Sequence, residues 1–186
     1  MSELGGENIR DLTSAEDGVI FAKKDIDFIN RNLRPSGLKE IPPNGLVLDL
    51  GCGEGSFVKG LQKAGYRGFG LDKAKAAYLD EDEYIQADLN EPEKVLSRLE
   101  DKGLKGKFDL ITANALSDYV AGEMDSIHPA KMARVIVESL KPGGVFYAPE
   151  VTQTILGERS LIKYLLERSM IQLDERQTIF VNQRDS

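Results

Sequence analysis

The stretch VLDLGCGEGSF, residues 47–57, decides the fold of this chain. Its apolar first half predicts a buried strand, and the glycines at positions 51, 53 and 55 predict a turn that leads into a helix at about Ser56. Glycine accepts positive φ angles and lets a ligand come close to the backbone. Because the first N–H groups of a helix are unpaired and lie at the positive end of its dipole, the turn predicts a binding site for an anionic group.

Acidic side chains around the turn indicate which kind of ligand it binds. Asp49 ends the strand, Glu54 lies inside the turn, and Asp72 and Asp88 end the next two predicted strands. A pyrophosphate beside Asp49 and Glu54 would be repelled by about 1 kcal/mol for each close pair. S-adenosylmethionine carries an ammonium and a sulfonium beside its carboxylate, so acidic walls attract it. Ser56 also replaces the last glycine of the dinucleotide-binding fingerprint, which disfavours a nicotinamide cofactor.

Strands and helices alternate along the rest of the chain. The predicted strands are 46–50, 69–72, 84–87, 108–113, 145–148, 170–173 and 178–182, and the predicted helices are 15–34, 56–64, 73–79, 92–102, 129–140 and 158–168. Apolar strands separated by helices predict an α/β fold with a Rossmann-like, seven-stranded, mostly parallel sheet and helices on both faces. The short turn between the last two strands makes them antiparallel, so one strand at the edge of the sheet is expected to be reversed.

Length and composition indicate one domain over residues 1–186. Residues 1–14 predict a flexible lead, and residues 15–34 a helix that either covers the binding site as a lid or simply packs against the sheet. The single cysteine excludes an intrachain disulfide, and there is neither a signal peptide nor an apolar run of roughly 20 residues, so we expect a cytoplasmic protein without a membrane segment. A net charge of −7 disfavours nucleic acid as the partner.

Five segments, in this order, resemble the motifs of the class I S-adenosylmethionine-dependent methyltransferases. VLDLGCGEGSF is similar to the first motif of that family, GLD ending at Asp72 to the second, and QADL containing Asp88 to the third. FDLITANAL, residues 108–116, resembles the fourth motif, and LKPGGVFYA, residues 140–148, the segment that follows it. The resemblance covers roughly residues 46–150 and implies a methyltransferase that uses S-adenosylmethionine.

The resemblance also implies which residues bind the cofactor. The turn would contact its methionine end, Asp72 its ribose hydroxyls, Asp88 and Leu89 its adenine, and Asn114 its sulfonium and ammonium. Asp72 and Asp88 could instead, or in addition, cap the helices predicted to follow them. No metal ligand is expected. The complete set of predicted cofactor-binding residues is Asp49, Gly51, Cys52, Gly53, Gly55, Asp72, Lys73, Asp88, Leu89 and Asn114.

Methyl transfer expels a neutral thioether, so the leaving group needs no acid and catalysis can depend on alignment. Catalytic residues should then lie beyond the carboxyl ends of the fourth and fifth strands, where the acceptor would bind. We predict Asn114, Asp118 and Tyr119 as catalytic residues. Further candidates there are Ser117, His128 and Glu150, with a structural role at a helix start as the alternative for His128.

The acceptor is unidentified from the sequence, and a small molecule or an exposed protein group is expected. Asn114-Ala-Leu-Ser departs from the Asn-Pro-Pro-Tyr type of sequence found in enzymes that methylate amino groups of nucleic acid bases. A homodimer could complete the acceptor site. Two alternatives remain open: a regulatory module that binds S-adenosylmethionine or S-adenosylhomocysteine without turnover, and a nicotinamide-dependent oxidoreductase.

Overall fold

The computed structural model describes residues 15–114, 127–148, 161–173 and 179–184. The helices in this part of the chain are α1 (Ala15–Leu33), α2 (Ser56–Lys63), α3 (Pro92–Asp101), α4 (Pro129–Ser139) and α5 (Leu161–Leu166). The strands are β1 (Leu46–Leu50), β2 (Arg67–Asp72), β3 (Tyr84–Gln86), β4 (Phe108–Thr112), β5 (Leu140–Tyr147), β6 (Met170–Gln172) and β7 (Ile179–Asn182). A short 3-10 helix, Arg34–Ser36, follows α1. None of the described helices has the length and apolar character of a membrane span.

The seven strands form one sheet in the order β3-β2-β1-β4-β5-β7-β6, which confirms the predicted fold class. The strands from β3 to β5 are parallel, and β7 is antiparallel to both of its neighbours. The reversed strand therefore lies next to the edge, and β6 forms the edge itself. The turn in the sequence specifies the relative direction of the last two strands but not which of them pairs with β5.

Helices cover both faces of the sheet, as predicted. α1 turns the same side inward at successive turns, burying Ala22, Ile26, Ile29 and Leu33 against the face that it shares with α2. α3, α4 and α5 cover the opposite face, where the larger apolar core lies. Strand order reverses between β1 and β4, and ligands of open α/β sheets bind at the carboxyl ends of the strands beside such a reversal.

The predicted helix over residues 73–79 is wrong. The chain after β2 follows an irregular path in which the Tyr78 N–H donates to the Glu54 carbonyl at 3.0 Å. Ala76 is buried, and the Leu79 side chain packs over Gly55 and Gly70. These contacts to the glycine turn replace the helical hydrogen bonds that the alanine-rich sequence would otherwise favour.

Candidate functional site

The glycine turn joins β1 to α2 through three residues with positive φ. These φ angles are 71° at Gly51, 53° at Gly53 and 93° at Gly55. The N–H groups of Gly51 and Cys52 both donate to the Leu71 carbonyl, at 2.8 and 3.2 Å, which folds the turn over the end of β2. Gly55 is the N-cap of α2 and provides no side-chain cap, so the start of the helix keeps unpaired N–H groups.

One side of the turn is closed and the other is open. A Cβ on Gly55 would lie 2.5 Å from the Leu79 side chain, whereas a Cβ on Gly53 would meet no atom within 4 Å. Behind the closed side lies a small apolar cluster of Cys52, Val58 and Ala76, against which Leu79 packs. A ligand can therefore approach the backbone of the turn from the side of Gly53.

The Cys52 side chain belongs to the apolar cluster behind the turn. A Cβ on Gly70 would lie 2.6 Å from its Sγ, so the thiol packs directly on β2. Burial raises the pKa of the Cys52 thiol, and the nearby Asp49 and Asp72 carboxylates add to that effect. The thiol is thus protonated and fills space behind the turn. Only the backbone of Cys52 could make the ligand contact that the sequence predicts.

Asp49 is buried beneath the turn, with 4% of its surface exposed. Thr112 is its register partner on β4, and the Thr112 hydroxyl donates to Asp49 Oδ1 at 2.8 Å. Burial raises the pKa of Asp49 to about 7, the hydrogen bond from Thr112 opposes that rise, and the Asp25 and Asp72 carboxylates contribute to it. A cation bound at the turn would favour the ionised form of Asp49.

Asp72 holds the turn in place through its carboxylate. Oδ2 accepts from the Gly53 N–H at 3.0 Å and Oδ1 accepts from the Ala74 N–H at 2.9 Å. No helix starts after Asp72, so the predicted capping role is wrong. Each carboxylate oxygen retains a second lone pair, which leaves Asp72 able to accept hydrogen bonds from a ligand as well.

Asp25 of α1 is a site residue that the sequence analysis missed. Its charge is close enough to Asp49 to raise the pKa of that carboxyl group. Asp25 is half-buried and follows Ala22 at helical spacing, so it lies near the inward face of α1. An acid on the apolar face of an otherwise amphipathic helix was the signal that could have revealed it.

Asp88 and Leu89 lie at the end of β3. Asp88 Oδ1 accepts from the Asn90 N–H at 2.8 Å in a tight turn, while the N-cap of α3 is Glu91. The alternative of Asp88 as an N-cap is therefore wrong. Leu89 is buried in the larger core, and the exposed Lys73 contributes its carbonyl as acceptor for the Gln86 side chain at 3.3 Å.

Asn114 follows β4 and carries a buried, unsatisfied acceptor. Its Oδ1 atom is buried and receives no hydrogen bond from the described residues. An unpaired buried polar atom costs about 1–3 kcal/mol, so a donor on a ligand would be favourable there. Asn114 is at the carboxyl end of the strand next to β1, on the same edge of the sheet as the glycine turn.

The remaining candidates divide into one structural residue and several that lie outside the described residues. His128 is the N-cap of α4: its Nδ1 accepts from the Ala130 N–H at 3.3 Å, and its own N–H donates to Asn90 Oδ1 at 2.8 Å. This confirms the structural alternative for His128. Ser117, Asp118, Tyr119 and Glu150 fall in segments that the structure does not describe.

The site thus combines an open backbone turn at a helix N-terminus with three carboxylates from α1, β1 and β2. Such an arrangement suits a ligand with one anionic group for the N–H groups and positive charge for the carboxylates. Within the described ranges no group of three or more His, Cys, Asp and Glu side chains could hold a metal ion.

Comparison with known proteins gives a family match over most of the chain. The family model of a methyltransferase domain matches residues 21–179, from α1 to the first residue of β7. This range contains every residue assigned to the site above. A search of curated proteins finds no match.

The solved structures to which this chain is similar include three methyltransferases. An S-adenosylmethionine-dependent methyltransferase from Mesorhizobium loti is 26% identical with a TM-score of 0.42, over 63% of this chain and 50% of that one. MycE, a methyltransferase from the mycinamycin biosynthetic pathway in complex with Mg and SAH, is 17% identical with a TM-score of 0.56, over 95% and 49%. A TehB-like SAM-dependent methyltransferase from Corynebacterium glutamicum is 16% identical with a TM-score of 0.50, over 89% and 99%.

The alignments to MycE and to the TehB-like protein show a shared fold. The chain spans about half the length of the first two structures.

Proposed function

This chain belongs to the family of methyltransferase domains, and from that premise we propose that it binds S-adenosylmethionine at the glycine turn and transfers its methyl group to an acceptor. The observation that carries the proposal is the open side of the turn at Gly53, with the Asp72 carboxylate on the Gly53 N–H and the Asp49 carboxyl group buried beneath the turn. Acidic walls around a backbone anion site suit a ligand with both a carboxylate and cationic groups, and they disfavour a pyrophosphate.

Each part of the site has a proposed role toward the donor. The N–H groups at the start of α2 and in the turn bind its carboxylate, and Asp49 attracts its cationic groups. Asp72 accepts hydrogen bonds from the ribose hydroxyls while it holds Gly53. Asp88 and Leu89 border the adenine, and the unsatisfied Oδ1 of Asn114 accepts from the methionine end of the donor. Gly51, Cys52, Gly55 and Lys73 contribute through backbone and shape.

Bound S-adenosylmethionine supplies an electrophilic methyl carbon, and the protein has to align an acceptor with it and exclude water. We propose Asp118 and Tyr119 as the residues that orient the acceptor, because they follow the end of β4 by only about six or seven residues in the sequence. α1 is proposed as a cover over the donor, since Asp25 on this helix faces Asp49.

The acceptor that we propose is a small molecule or an exposed protein group. The net charge of −7 repels a phosphate backbone, and the sequence after Asn114 differs from that of enzymes acting on nucleic acid bases. We further propose a cytoplasmic protein of one domain, whose acceptor site a second copy of the chain could complete.

Two measurements test the proposed function. Calorimetric titration of the purified chain with S-adenosylmethionine, S-adenosylhomocysteine and NAD should give binding of the two adenosyl compounds and none of NAD. Preference for NAD would overturn the proposed ligand. Incubation with donor carrying a labelled methyl group, together with metabolite and protein extracts, should then move label into an acceptor. Binding without any transfer of label would favour the regulatory module instead.

A further inference from the structure

Asp49 and Thr112 form a buried polar pair between the two central strands of the sheet. The pair joins residues 63 positions apart, and both side chains lie on the sheet face that α1 and α2 cover. Thr112 has no exposed surface, and among the described residues it is the one hydrogen-bond donor to Asp49. A hydrogen bond to a carboxylate stabilises its ionised form.

Two other carboxylates near Asp49 act in the opposite direction. Asp25 faces it from α1 and Asp72 from β2, and both carry negative charge. The Cys52 thiol in the turn is protonated, and Tyr147 on β5 is the register partner of Thr112 on its other side. Burial also disfavours the Asp49 carboxylate, and neither Cys52 nor Tyr147 provides a positive charge for it. Of these groups, the Thr112 hydroxyl alone favours the ionised form of Asp49.

We propose that Thr112 is a positioning residue for S-adenosylmethionine: its hydroxyl fixes the Asp49 side chain beneath the glycine turn and favours its ionised form, so that the carboxylate attracts the cationic end of S-adenosylmethionine. The inference rests on the proposed function, because it assumes that donor as the ligand. Thr112 of β4 would thus contribute to binding of S-adenosylmethionine without touching it, through its hydrogen bond to Asp49.

The test compares two variants. Thr112→Val has nearly the same shape but no hydroxyl, and Thr112→Ser keeps the hydroxyl that donates the hydrogen bond. The first measurement follows the carboxyl carbons of the ligand-free chain by NMR as a function of pH, with Asp49→Asn to assign the signal. Without the hydroxyl the pKa of Asp49 should rise by about one pH unit, since hydrogen bonds to charged groups are among the stronger ones. Thr112→Ser should titrate like the parent.

The second measurement is the dissociation constant for S-adenosylmethionine by calorimetry between pH 6 and 8.5. If the ionised form alone is competent to bind, Thr112→Val should bind about tenfold more weakly than the parent at pH 6, about fivefold more weakly at pH 7, and within about 1.5-fold at pH 8.5. Thr112→Ser should follow the parent throughout. A purely structural defect would weaken binding by the same factor at every pH.

The outcomes separate the two proposals. If the parent chain binds no S-adenosylmethionine, the proposed function fails and this inference fails with it. If the parent binds but Asp49 titrates alike in all variants, or the ratio of dissociation constants is constant with pH, only the role of Thr112 is overturned. Should Thr112→Val not fold, Thr112→Ala provides the same comparison, again against Thr112→Ser.

Discussion

The Asp72 carboxylate has two tasks at the level of single residues. It accepts from Gly53 and Ala74, which joins the glycine turn to the end of β2, and it is the proposed acceptor for the ribose hydroxyls. Asp72→Ala removes both the ligand contact and the support of the turn. We expect the dissociation constant for S-adenosylmethionine to increase at least about tenfold, which corresponds to about 1.4 kcal/mol.

The matched control is Asp101→Ala, which removes an exposed carboxylate at the far end of α3. Calorimetry should show unchanged binding for that variant. Equal affinities of parent, Asp72→Ala and Asp101→Ala would place the donor elsewhere.

Gly53 combines a φ of 53° with open space where a side chain would begin. Gly53→Val should lose most of its affinity for S-adenosylmethionine, because the side chain occupies the space through which the donor reaches the backbone. The backbone strain should also cost about 1–3 kcal/mol of stability.

Gly37, which ends the 3-10 helix after α1, offers a control with the same positive φ outside the glycine turn. Its φ is 69°, and a Cβ there would also meet nothing within 4 Å. Gly37→Val should therefore lose comparable stability in urea unfolding and keep its affinity in calorimetry. If both variants bind equally well, the open side of the turn is not the donor site.

Burial of Asp49 makes stability depend on pH in a direction that follows from its raised pKa. The pKa is about 7 in the folded chain against an ordinary value of 3.8. Between these values the folded chain holds a proton that the unfolded chain has released. The contribution of Asp49 to the free energy of unfolding therefore falls as pH rises from about 4 to 7, by up to about 1.4 kcal/mol per pH unit. Above pH 7 this contribution is constant.

Asp49→Asn removes this contribution. The free energy of unfolding of the variant minus that of the parent should increase with pH between about 4 and 7 and then level off. Urea unfolding at a series of pH values measures it, and the control Asp101→Asn should run parallel to the parent. A difference for Asp49→Asn that is constant with pH would show that Asp49 titrates normally.

At the level of elements, the contact between α1 and α2 depends on the absence of side chains. A Cβ on Gly60 would lie 2.1 Å from the carbonyl carbon of Gly18, and a Cβ on Gly18 would lie 2.4 Å from the Ser56 carbonyl oxygen. Both obstacles are backbone atoms, which cannot turn aside. The close approach brings the first turn of α1 against the start of α2, beside the proposed donor site.

Gly60→Ala tests this contact because the usual effect has the opposite sign. In an open helix interior, alanine in place of glycine stabilises by about 0.5–1 kcal/mol. Here we expect a loss of about 1–3 kcal/mol from overpacking, measured by urea unfolding. Lys63→Ala, at an exposed position of α2, should change stability by less than about 0.5 kcal/mol. A stabilised Gly60→Ala variant would mean that the two helices lie further apart.

The segment after β2 shows how one element supports another. Instead of forming a helix, residues 73–79 lie along the closed side of the glycine turn, and the Lys59–Glu83 ion pair at 2.6 Å ties α2 to the chain just beyond. Glu83 also accepts from the Asp80 N–H at 3.2 Å. The turn is thereby supported from behind, while its open side stays free for a ligand.

At the level of the whole molecule, the site lies where parallel strands from two halves of the sheet meet. β1 ends at the glycine turn, β2 and β3 bring Asp72 and Asp88, and β4 brings Thr112 and Asn114. All these residues lie at or near the carboxyl ends of their strands, on one edge of the sheet. The strand order, rather than any single motif, brings together acids that are distant in the chain.

Sequence alone was sufficient for the fold class, the seven strands and the glycine turn, because apolar periodicity and glycine placement report local conformation and burial directly. Three features required the tertiary structure: the irregular path of residues 73–79, the position of β7 between β5 and β6 in the sheet, and the neighbours of Asp49. Asp25 and Thr112 reach Asp49 from other elements. The pattern of α1 can place Asp25 near the inward face of the helix, but which residue it meets there is decided only when the strands and α1 assemble. The helix expected near Ala76 does not form, because tertiary contacts to the turn outweigh a helical preference of about 0.5 kcal/mol per residue.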